Sequence, residues 1–278
     1  MLARMAVDPE LHALDIAIPS KPESLVRLSL LLADDDVNLD AIGNLIESDM
    51  ALAAAVMKAV NSPLYGLGGR VRSVHQAVGY LGTSEVSGIT FELGLRAAFP
   101  PSPDLEPIWD RAGQRGLVMG RLGQAMGLDA WAAHSAGLFE ECGKAVLYRH
   151  APEHYPPMLR AAGNDVDLCE IEHAGFGVSH DALGAALCET WGLGAAAVAC
   201  VRQHVVAQAA GALDGTTEQR HILALSLIAR AVLGQPEQLD ECIQAVAPQA
   251  DLDTTLALRA ARRLQDQLSQ ATSQRTPR

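Results

Sequence analysis

Ala136-Gly-Leu-Phe-Glu-Glu-Cys-Gly-Lys144 lies inside residues 130–149, a run whose apolar patterning predicts a helix. It carries two adjacent carboxylates, Glu140 and Glu141. Two glutamates near a cleft need a counter-charge. Lys144 follows Glu141 by three residues and Glu140 by four, so it shares their helix and is a candidate for that role. Cys142 reads as an unreactive packing residue, because neighbouring carboxylates raise a thiol's pKa.

Helical spacing continues on both sides. Residues 109–127 form one helix candidate. Pro152, Pro156 and Pro157 then break the chain. A further helix starts near Ser179, an N-cap candidate, with Leu183, Leu187 and Trp191 as its stripe and Gly192 at its C-terminal end. Residues 195–210, 221–233 and 254–269 are the remaining helix candidates of this half. Upstream, Phe99–Pro107 holds four prolines in nine residues and predicts an exposed linker over 100–107. Before it, Leu25, Leu28, Leu31 and Leu32 recur at helical spacing, Asn38 and Asp49 are N-cap candidates, and Asn61-Ser-Pro63 ends a helix that carries Leu52, Val56, Met57 and Val60. Ser73 starts another short one. The expected fold is all-α. It has an N-terminal helical lobe (12–99), a second helical lobe (108–232) and a C-terminal helical extension (233–278) that frays from Ser273.

Composition supports this. The chain has 278 residues, 49% hydrophobic but 4% aromatic, and its apolar mass is Ala, Leu and Val. No apolar run approaches the roughly 20 residues that cross a bilayer. The N-terminus lacks a secretory pattern, so a cytoplasmic location is expected, with no membrane partner. A net charge of −12 argues against nucleic acid. Arg259, Arg262 and Arg263 read as a solvated helix face. Five cysteines without a Cys-x-x-Cys pair indicate neither a disulfide framework nor a zinc ribbon. Gly66-Leu-Gly68 and Gly175-Phe-Gly177 lack a phosphate-binding signature, and no nucleophile elbow is present.

The quoted stretch resembles the helix of HD-type phosphohydrolases, in which a His-Asp pair precedes Ile-Gly-Lys and holds a metal. Here Glu140-Glu141 replaces the pair. In such enzymes the first ligand lies two residues after a Trp. In Trp109-Asp110-Arg111 that position is Arg111, which has no lone pair to donate. The resemblance places the distant Asp at Ser226. It matches two histidines of multinuclear versions to His180 and His204. Glu141, His180 and His204 make one conceivable three-ligand set, but each histidine sits beside an apolar stripe and reads as a packing residue. His12, His75, His134, His150, His154, His173 and His221 read as surface or packing residues. No metal and no cofactor are expected.

Ile18-Pro-Ser-Lys-Pro22, Val60-Asn-Ser-Pro-Leu-Tyr-Gly66 and Val74-His-Gln-Ala-Val-Gly-Tyr-Leu-Gly82 further resemble the first lobe of the HDOD family, the HD-related output domain of bacterial signalling proteins. The likeness spans roughly 12–232. It implies a non-catalytic signalling or adaptor module that binds a protein partner the sequence does not name, with a small ligand in the old cleft as a second mode of binding. The alternative is a divergent metal-dependent phosphohydrolase acting on nucleotides or cyclic dinucleotides. Asn61 and Tyr65 are the candidate partner-binding or lobe-docking residues, since Tyr is amphipathic and suits an interface.

Overall fold

The computed structural model describes residues 16–32, 39–61, 65, 67 and 69–273. Among them every regular element is a helix. The first lobe has α1 (Glu23–Leu32), α2 (Leu39–Glu47), α3 (Met50–Val60), α4 (Val74–Leu81) and α5 (Thr83–Ala97). The second has α6 (Glu106–Ala125), α7 (Ala130–His150), α8 (Tyr155–Ala161), α9 (Asp165–Phe176), α10 (His180–Thr190), α11 (Ala195–Ala210) and α12 (Thr217–Gly234). α13 (Leu239–Val246) and α14 (Thr254–Ser273) follow.

Local chemistry sets many of these boundaries. Asp49 caps α3 by accepting from the Ala51 and Leu52 amides, and Ser73 caps α4 at Gln76. The predicted cap at Asn38 lies outside the described residues, as do Leu64 and the tail beyond Ser273. Ser179 precedes α10 as expected, but its hydroxyl donates to Asp181 instead of capping the helix. Pro156 and Pro157, read as breakers, sit in the first turn of α8, where a missing N–H costs nothing. The sequence pattern also left α5, α9 and α13 unassigned.

The two lobes share one core. Phe91 of α5 lies 5.2 Å, 6.0 Å and 6.4 Å, centroid to centroid, from Trp131, Phe139 and Trp191. The segment before α1 is tied to the end of α10, with the Trp191 indole donating to the Pro19 carbonyl at 2.8 Å. The linker departs from a free connection. Its prolines are exposed, yet Phe99 and Leu105 are buried and Ser102 Oγ lies 2.6 Å from the Tyr148 hydroxyl. A second core joins α6 and α11–α12 to α13 and α14 through Leu223, Ile243, Val246, Ala257 and Ala261. The C-terminal helices therefore pack as part of the second lobe rather than as an appendage.

Candidate functional site

α7 runs through the middle of the second lobe and is buried nearly all round, polar residues included. Glu140, Glu141 and Lys144 are all buried. α6 packs along it so closely that a Cβ on Gly137 would meet the Arg115 backbone at 2.8 Å. On the other side, a Cβ on Gly143 would fall 1.8 Å from the His180 carbonyl oxygen. These glycines let α6 and α10 pack tightly on α7, and α6 brings Arg111 and Arg115 onto the glutamate pair.

Glu141 lies between two cations. Lys144 Nζ donates to its Oε2 at 3.0 Å and Arg111 Nε donates to the same oxygen at 3.2 Å. The Arg111 contact is a single bond rather than a bidentate fork. Burial alone would push the Glu141 carboxyl up. Lys144 first, and Arg111 second, outweigh it and hold the group at about 2. Lys144 also donates to Asp165 Oδ1 at 2.8 Å, which lies below the usual carboxylate range for the same reason: Lys144 overcomes burial.

Glu140 pairs with Arg115, which the sequence reading missed. The buried Arg115 guanidinium donates through Nη2 to Glu140 Oε2, and the same nitrogen lies 3.3 Å from Ser226 Oγ. Arg115 stands one turn after Arg111 on α6, so its spacing was the available signal. Ser226, on α12, thus joins the same centre. His180 and His204 form a neighbouring pair with ring centroids 5.8 Å apart. His180 Nδ1 faces Glu172 Oε2 at 2.7 Å, and His204 Nδ1 faces the Val201 carbonyl at 2.7 Å. Burial pushes the His204 imidazole below its ordinary range. All six positions carried over from the resemblance therefore fall in one region.

This donor set does not fit a divalent cation. A guanidinium stands at the first ligand position, and both carboxylates are already engaged by Arg115, Lys144 and Arg111. Glu141 is spent on those cations and does not join His180 and His204 as a third ligand. The two candidate interface residues are used inside the chain. The Asn61 amide donates to the Met57 and Val71 carbonyls at 3.0 Å and 2.9 Å, closing the loop after α3. Tyr65 is half-buried under Arg121 of α6, whose guanidinium lies 5.5 Å from the ring centroid. Arg121 also binds Glu85 of α5 at 2.8 Å, so Tyr65 docks one lobe on the other.

A family model for the HDOD domain matches residues 18–206. The chain belongs to the HDOD domain family. Ser226 and α12–α14 lie beyond the matched stretch. Among solved structures, the chain resembles a candidate signal-transduction protein of Marinobacter aquaeolei VT8, at 25% identity and TM-score 0.72, covering 92% of this chain and 59% of that one. It also shares the fold of an HDOD domain protein of unknown function from Geobacter sulfurreducens, at 20% identity and TM-score 0.71, covering 94% and 93% of the two chains. A candidate phosphohydrolase of Shewanella amazonensis SB2B has the same fold at 17% identity and TM-score 0.67, covering 95% and 96%. An uncharacterised Treponema pallidum protein is 26% identical over 191 residues, covering 67% of this chain. The chain spans 37% of that relative's length. Among the described residues no helix is long and apolar enough to cross a membrane.

Proposed function

We propose that this HDOD chain is a non-catalytic signalling module whose HD-type centre is a structural ion-pair cluster and whose output is the binding of a protein partner. One observation carries this reading: buried Arg115 and Lys144, with Arg111 beside them, neutralise the two carboxylates that replace the metal-binding pair. A hydrolase of this class needs a metal with an open position for water. Here fixed cations take up the carboxylates instead.

The first lobe offers surface for a partner. Five of the six exposed large apolar side chains among the described residues are Val26, Leu30, Leu39, Met50 and Tyr80, all on α1–α4. Val26 and Leu30 stand one turn apart on α1 and share a face. The relative of Marinobacter, a candidate for signal transduction, is in keeping with such a role.

The test is an assay of the purified chain against nucleotides and cyclic dinucleotides with added Mn²⁺ or Fe²⁺. No turnover is expected. Turnover abolished by Glu141→Gln would overturn the proposal in favour of a divergent phosphohydrolase.

A further inference from the structure

We propose that Cys169, Glu172 and His180 form a three-ligand binding site for a thiolate-preferring divalent cation of the zinc class, at the cleft between α9 and α11, with the fourth position open to water from the cleft. The site is separate from the Arg115–Glu140 and Lys144–Glu141 pairs. Of its residues the family resemblance marks His180 alone, and Cys169 is one of the five cysteines that form no Cys-x-x-Cys pair.

The donors are brought together by a helical corner. Cys169 and Glu172 are three apart on α9 and share a face. Gly177 ends that helix in the left-handed region, at φ 72°, and turns the chain into α10. His180 is the first residue of α10, and its backbone N–H donates to Glu172 Oε2 at 2.8 Å. One ligand atom each from Cys169, Glu172 and His180 lies within 4.8 Å of the others. Cys169 Sγ is 3.7 Å from His180 Nδ1 and 3.7 Å from Asp181 Oδ1.

The Cys169–His180 separation suits a tetrahedral ion. With metal–sulfur near 2.3 Å and metal–nitrogen or metal–oxygen near 2.0–2.2 Å, sulfur lies roughly 3.5 Å from the other donors, and N and O lie roughly 3.3 Å apart. The Cys169–His180 edge, 3.7 Å, is close to that value. The 2.7 Å His180–Glu172 contact, which now holds a proton, has to widen by about 0.6 Å. On binding, the thiol proton leaves to solvent and the imidazole proton moves from Nδ1 to Nε2.

Charge and access agree. A thiol and the Glu172 carboxylate stand beside the imidazole, and Asp181 lies against the thiol, so the corner collects negative charge that a divalent ion neutralises. Thiolate with imidazole and carboxylate selects zinc-like ions over magnesium or calcium. Tyr155 donates to the other oxygen of Glu172, which orients the carboxylate from behind. Cys169 and Asp181 line an open cleft of about 580 Å³, so the ion has an entry path. Resting on the signalling reading above, such a site makes metal supply an input to the module.

The test titrates the full chain with Co²⁺ and follows thiolate-to-cobalt charge-transfer absorption, with Zn²⁺ then displacing the cobalt. One Co²⁺ per chain and a band lost in Cys169→Ser are expected. In that variant Zn²⁺ affinity falls at least ~10-fold. Cys242→Ser keeps the band. In the unmodified protein, equimolar Zn²⁺ protects Cys169 from iodoacetamide, read by peptide mass spectrometry. Absence of cobalt binding, a band that survives Cys169→Ser, or alkylation of Cys169 unchanged by zinc would overturn the proposal. Hydrolysis in the nucleotide assay bears on the central cluster instead, so the two proposals fail independently.

Discussion

Arg115 and Glu140 form an ion pair sealed between α6, α7 and α12, with side chains 9% and 1% exposed. A buried charge pair of this kind contributes little net stability over a well-packed apolar pair, but breaking it is costly. Its presence explains how two adjacent glutamates stay inside a helical core.

The two cations on Glu141 are unequal. The Arg111 side chain is 49% exposed and the Lys144 side chain 4%. Solvent screens the first and not the second. Arg111→Met is expected to cost less than about 1 kcal/mol. Lys144→Met leaves Glu141 and Asp165 without their buried partner and should cost about 3–5 kcal/mol. Urea unfolding of both variants checks this, and equal losses would refute it.

Acid stability should report Glu141 directly. Its carboxyl is held at about 2 against an ordinary 4.5. The contribution is therefore complete above pH 4.5 and is lost as pH falls through about 2, with a limiting size of about 3 kcal/mol. Glu141→Gln should flatten the fall in urea midpoint between pH 4.5 and 2. An unchanged slope would show that Glu141 titrates normally.

His134 gives a second, higher window. Its Nε2 is shut off from water between α5 and α6, although the residue keeps part of its surface exposed. Burial holds the imidazole at about 4 against an ordinary 6.5. Below pH 6.5 the unfolded chain takes up a proton that the folded chain refuses until about pH 4. Stability therefore falls across that window as pH drops, by up to about 3 kcal/mol. His134→Gln should remove this part of the slope, and the same slope in the variant would contradict the account.

Glycine spacing on α7 can be tested by contrast. A Cβ on Gly143 meets the His180 backbone at 1.8 Å, whereas one on Gly79 of α4 meets nothing within 4 Å. Gly143→Ala must push α7 and α10 apart and should cost more than about 3 kcal/mol. Gly79→Ala should be neutral or stabilise by ~0.5–1 kcal/mol. Thermal midpoints that shift alike in both variants would contradict the close α7–α10 approach.

The sequence made the fold class and several helix limits legible because caps and prolines are local signals. Residues 195–210 coincide with α11, and Asp49 and Ser73 cap as read. α9 escaped because its core face carries Glu172 beside Leu168 and Phe176, which blurs an apolar stripe. α8 escaped because prolines in a first turn look like breakers. At the site, the resemblance located Arg111, Glu140, Glu141, His180, His204 and Ser226, since a motif fixes positions along the chain. It was silent on Arg115, Asp165 and Glu172. These partners come from other helices or turns, and only packing shows that they are near.

The account's central claim is that Arg115 supplies the counter-charge to Glu140 where relatives of the HD type hold a metal. A double-mutant cycle of Arg115→Met and Glu140→Gln, measured by urea unfolding at neutral pH, tests it most directly. Each single variant should lose about 3–5 kcal/mol, and the double variant should lose far less than their sum. Additive losses would contradict the claim.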